Sequence, residues 1–284
     1  MPSSVHLPGR RQRRLALLAQ LVAVVVAVGA AVIVIAEGPG GDPGADRLAA
    51  DEVGTLAPLV AAPLPPSVGP SPSASVGPSP SPVLRAPGAV PSAGTGRFGY
   101  DARSGPVLGR AGELRRYRVA VESGSDEVAA DFAQAVQVAL AGPGSWVDSG
   151  RLRLQQVPGD APRDFTVYLA TARTAGRMCA DGGVDIRIDG RPYTSCRAPG
   201  QVIINLDRWR LSVPHLVSAR VPLDVYRTYV VNHEVGHQLG HRHERCPGAG
   251  RPAPVMMQQT LFLNGCRVNP WPYLDGRRYA GPAL

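Results

Sequence analysis

Lysine is missing altogether: all 30 basic residues among the 284 are arginine. Together with 33 Gly and 29 Pro this reflects GC-rich coding, and by itself it implies no activity. Aromatic residues are scarce at 5% and never alternate with basic runs, so the pattern of a nucleic-acid surface is absent. The four cysteines contain no C-x-x-C spacing, which argues against Cys246, three residues after His243, as a zinc thiolate. No cysteine lies before residue 179, so a cysteine-based latency device has no candidate residue. No glutamate follows Glu244, which excludes a metal ligand of that type from any later helix.

What is present divides into segments. Residues 1–14 carry four arginines and no acid, a basic N-terminus expected on the cytoplasmic side. Leu15 to Ala36 is an uncharged run of 22 residues. As a helix it spans about 33 Å, enough for a hydrocarbon core of ~30 Å. We expect a single-pass signal anchor with the remainder exported; cleavage after Ala36, where Val34 and Ala36 form an acceptable site, is the alternative and would release a secreted protein. Residues 37–96 hold 13 prolines and the direct repeat SVGPSPSA–SVGPSPSP, too little apolar surface to offset ordering entropy, and read as a disordered stalk. Its reach runs from about 40 Å as a coil to about 190 Å as polyproline II. Residues 97–284 are the expected folded domain, with 24 arginines against 17 acids spread over its surface.

Within that domain RYRVAVE (116–122), RLRLQQV (151–157), DFTVYLAT (164–171) and QVIINLDRW (201–209) read as strands. DEVAADFAQAVQVAL (126–140) has helical periodicity, with Ser125 available as N-cap. VDIRIDGRPYTSC (184–196) reads as a hairpin turning at Asp189-Gly190, and Val221-Pro222 opens a second helix. The order implies an α+β fold, a mixed twisted sheet with two main helices.

The second helix carries His233-Glu234-Val235-Gly236-His237. Histidines at i and i+4 share one face and reach one metal ion, while Glu234 projects beside it as a base for water. Gly240 and His243 extend the run to H-E-x-x-H-x-x-G-x-x-H. A glycine there takes the left-handed conformation that ends the helix and returns the third histidine to the metal. His241 continues the i, i+4 series, but in a straight helix it would lie about 12 Å along the axis from His233. His243 is therefore the expected third ligand, with His241 and Glu244 around the site. Asp275, the one acid in the last forty residues, is a weaker alternative ligand in a loop-like context.

HEVGHQLGHRHE, followed by CPGAGRPAPVMMQQT, resembles a family of exported bacterial domains of unknown function that are themselves similar to metzincins. The resemblance covers most of residues 97–284 and is strongest at 233–260. It implies a zincin-like domain with Zn2+ at the three histidines, a cleft below the sheet and a small C-terminal subdomain with a methionine turn. Met256, in Pro254-Val255-Met256-Met257, matches the turn methionine. Gln258 stands where some metzincin branches place a tyrosine at the metal, which argues against those branches.

Four cysteines allow three pairings; joining neighbours, Cys179 to Cys196 and Cys246 to Cys266, closes two loops of similar size. The second would clamp the methionine turn. The expected activity is zinc-dependent hydrolysis of a peptide or protein substrate lying extended along a sheet edge, with residues 184–196 as the source of that edge. A cell-wall peptide amidase, whose partner would be a wall polymer, and a non-catalytic zinc-stabilised binding module are the other readings. Trp271, Tyr273, Arg277 and Arg278 are either a specificity wall or ordinary packing.

Overall fold

A computed structural model describes residues 81–284 of the chain. The expected anchor at 15–36, the basic N-terminus and most of the stalk lie outside the described residues. Among the described residues no helix is long and apolar enough to cross a membrane.

The elements are β1 (Phe98–Tyr100), β2 (Val107–Leu108), β3 (Glu113–Glu122), α1 (Ala129–Ala141), β4 (Leu152–Gln156), β5 (Phe165–Ala170) and α2 (Ala172–Asp181). They continue with β6 (Arg187–Ile188), β7 (Arg191–Pro192), β8 (Cys196–Ala198), β9 (Gln201–Asn205), α3 (Leu206–Leu211) and α4 (Pro214–Ser218). Last come α5 (Leu223–Gln238), β10 (Tyr273–Leu274) and β11 (Arg277–Arg278). One mixed sheet runs β2-β4-β3-β5-β9-β8, with β1 also paired to β3. Strands β4, β3, β5 and β9 are mutually parallel, while β8 joins β9 antiparallel and forms an edge. β5 is buried on both faces at most positions, which explains its near-continuous apolar sequence.

Helix α1 buries Phe132, Ala133, Val136 and Leu140, one helical stripe, against the same core as Tyr226, Val230 and Val231 of α5. The expected cap at Ser125 is absent: Asp126 turns with φ 58° and the helix starts after Val128 without a side-chain cap. The strand read over 201–209 also stops early. The Asn205 side chain accepts from the Asp207 amide and caps α3, so Leu206 onward is helical. The hairpin at 184–196 forms as β6–β7 with Asp189 and Gly190 both at positive φ. It is a separate two-stranded sheet, and the edge of the main sheet is β8, one step downstream.

Helix α2 had no counterpart in the sequence reading. It buries only small groups, Ala172, Thr174, Ala175 and Cys179, so no wide apolar stripe marks it. Gly176 lets Pro192 of the hairpin press against it; a Cβ there would stand 2.7 Å from the Pro192 Cγ.

The expected domain boundary at Arg97 falls inside packed structure. The Val83 carbonyl accepts from the Leu223 amide, Ser92 accepts from Arg173, and Gly94 donates to the Thr171 hydroxyl. Glu122, 1% exposed, gathers this strap by accepting from the Gly96 amide, the Thr171 amide and hydroxyl, and the Thr174 hydroxyl. Prolines in this stretch obscured it, because an extended strap and a disordered tether share a composition.

Candidate metal centre

Helix α5 enters the core and is fully buried from Tyr229 to Gly236. His233 and Glu234 are each 6% exposed, whereas His237 and His243 are half-buried at the mouth of a cleft of about 580 Å³. The helix ends as its glycine predicts. Gly240 has φ +95°, its amide bonds to the His237 carbonyl, and the His241 amide bonds back to Gly236. This reversal brings His243 beside His237, with their Nε2 atoms 3.0 Å apart. One ligating nitrogen from each of His233, His237 and His243 lies within 4.8 Å of the others, close enough to hold one metal ion.

Backbone carbonyls fix the tautomers. His233 donates from Nδ1 to the Val255 carbonyl at 2.8 Å, and His237 donates from Nδ1 to the His241 carbonyl at 2.8 Å. Both Nε2 lone pairs are thereby left for a ligand. Burial, then the neighbouring His237, pushes the His233 imidazole down to about 3. Burial and His237 push His243 down to about 4, and His237 is lowered mainly by burial. The trio is therefore uncharged at neutral pH, the state a cation requires. Burial alone pushes the Glu234 carboxyl up to about 8; a cation at the histidines would oppose that by attraction. Neutral imidazoles in a convergent, carbonyl-oriented set fit a metal cation.

Below the helix, Pro254–Met257 forms a tight turn, the Met257 amide bonding to the Pro254 carbonyl at 2.9 Å. Met256 is fully buried against Gly236, where an added Cβ would come within 2.4 Å of its sulfur and 2.7 Å of Trp146. Met257 instead joins a small C-terminal core with Ala253 and Cys266. The two adjacent methionines thus serve different cores. The disulfides are Cys179–Cys196 and Cys246–Cys266, the neighbour pairing, and the second brackets the turn.

Most of the supporting residues carried no sequence signal of their own. The Tyr229 hydroxyl donates to the Met257 carbonyl and accepts from the Gln259 amide. Gln259 and Asn269, both buried, exchange hydrogen bonds with each other and with the Pro254 and Ala253 carbonyls. The Trp146 ring stacks on His241 at 4.3 Å, and its Nε1 donates to the Asn232 carbonyl. Tyr229 was the one accessible clue, lying four residues before His233 on the same face.

The remaining expectations resolve by position. His241 contributes its carbonyl and a stacking face, outside the histidine cluster. Glu244 pairs with Arg278 at 2.7 Å and holds the C-terminal tail through the Gly281 amide. Asp275 occupies the β10–β11 turn with φ 50°, away from the cluster. Trp271 packs at Gly142, and Arg278 lies over Trp146, so these residues are packing groups and line no part of the cleft.

Residues 84–274 match the family described as Protein of unknown function (DUF3152). No curated protein and no solved structure matches the chain.

Proposed function

The chain belongs to the DUF3152 family, and we propose that it is a zinc-dependent endopeptidase of metzincin type, exported and tethered by its N-terminal segment. The observation that carries this reading is the convergence of three neutral imidazoles beside a buried glutamate that lines the same cleft. The mixed sheet with β8 as an antiparallel edge strand, the helix beneath it and the methionine turn under Gly236 support the metzincin assignment.

Bound zinc would supply a Lewis acid that polarises a scissile carbonyl and makes water more acidic. His233, His237 and His243 hold it, two of them oriented by the Val255 and His241 carbonyls. Glu234 takes the proton of the attacking water and returns it to the departing amine. β8 pairs only with β9 among the described residues, so its outer edge is free to align an extended peptide. Burial excludes bulk water around Glu234, which strengthens its interaction with the reacting groups.

The test is cleavage of a mixed peptide library by the full chain beside Glu234→Gln, with bound metal assayed in both. We expect both proteins to hold about one zinc per chain and the variant to lose about 10²–10⁴-fold in turnover. Zinc in both samples with no cleavage by the parent would sink the peptidase reading.

A further inference from the structure

The two ends of the cleft differ in charge. At the C-terminal end of α5, Arg197 of β8 and Arg242 of the following loop both line it. Arg197 donates from Nε to the Gln238 side chain at 3.1 Å, which sets its guanidinium beside the last turn of the helix. Neither arginine has a carboxylate partner among the described residues. Two turns earlier, about 12 Å along the axis, Tyr229, Val230, Thr260 and Leu261 form an uncharged end. Arg208, buried behind that end under the Tyr193 ring, does not line the cleft.

Two acids line the cleft. Glu234 is the proposed base, and Asp185 is held at both oxygens by Arg187, at 2.9 Å each. The cation assigned to the histidines adds positive charge between the two ends. A substrate covering Arg197 and Arg242 without an anion would strip water from two guanidiniums and return nothing.

We propose that Arg197 and Arg242 bind a carboxylate of the substrate, so that the cleft selects peptides with an acidic side chain near the cleaved bond. This rests on the peptidase reading and specifies its substrate class. Arg197 is half-buried and Arg242 exposed, and a guanidinium that the substrate covers gains short, charge-assisted hydrogen bonds from a carboxylate that an amide cannot match.

Two measurements on the full chain separate this proposal from the peptidase reading. Library cut sites for the parent should be enriched in Asp or Glu on one side of the bond. For Glu234→Gln with zinc bound, a fluorescein-labelled decapeptide of alternating Ala and Glu should bind about tenfold tighter than its Ala/Gln counterpart. Arg197→Gln with Arg242→Gln should erase that ratio, while Arg110→Gln at the far edge of the sheet should keep it. Tighter binding of the acidic peptide without any cleavage sinks the peptidase reading and leaves the arginine site standing. Cleavage without acidic enrichment, equal binding of the two peptides, or a ratio that survives the double variant overturns the arginine site.

Discussion

At the scale of single residues, the centre depends on what is small as much as on what ligates. Gly236 lies between His233 and His237 on the inner face of α5, and the contact there is with Met256 and Trp146 at distances no Cβ can share. Gly236→Ala should cost about 1–3 kcal/mol by overpacking and weaken metal binding, because the displaced turn carries the Val255 carbonyl that orients His233. Adding Met256→Ala should restore part of the loss, a coupling readable from a double-mutant cycle in urea denaturation with zinc titration. Additive losses would mean that the methionine does not press on the helix. Gly240 has the opposite character: its φ is +95° with open space around the missing Cβ, so it serves the backbone turn and no packing contact.

At the scale of elements, the strap at residues 83–96 and the start of α2 are joined to β3 through one carboxylate. Burial raises the Glu122 pKa, but hydrogen bonds from Thr174, Gly96 and Thr171 outweigh it and hold the carboxyl below its ordinary value. Glu122→Ala would leave these donors unpaired in the interior, and we expect a loss of about 3 kcal/mol with faster proteolysis before Arg97. Denaturant titration and limited proteolysis read the two effects. A variant within about 0.5 kcal/mol of the parent would show that solvent replaces those bonds. The free edge strand β8 follows from equally local chemistry: Pro199-Gly200, with Gly200 at φ +71°, reverses the chain so that β8 lies antiparallel to β9.

At the scale of the whole molecule, the buried titratable groups set a pH profile for the metal-free protein. His233 and His243 have folded values near 3 and 4 against an ordinary 6.5, so the stability they contribute is present above 6.5 and lost as pH falls. Glu234 runs the other way: its folded value near 8 exceeds 4.5, so its contribution is full below 4.5 and lost as pH rises toward 8. Two histidines outweigh one glutamate below 6.5, and Glu234 acts alone above it, so stability should peak at roughly pH 6.5. Glu122 adds to the loss at the acid end. Calorimetry of chelator-treated protein across pH 5 to 8 checks this. A flat Tm would show that the histidines are not held neutral. Zinc should remove the alkaline decline, since it favours the Glu234 carboxylate and binds only unprotonated imidazole.

The sequence by itself determined the four central strands, both long helices, the hairpin turn and the identity of the clustered histidines. Each rests on local rules: alternation, helical period, an Asp-Gly turn, and ligands at i and i+4 with a glycine before the third. It also narrowed the cysteines to three pairings, and the tertiary structure selects the one that joins neighbours. Tertiary structure alone decided that α2 is a helix, that β9 ends at Asn205 and that residues 83–96 are packed. It decided as well that Tyr229, Gln259 and Asn269 hold the turn. Those outcomes depend on side chains brought together across tens of residues, where burial and hydrogen-bond satisfaction override local preference.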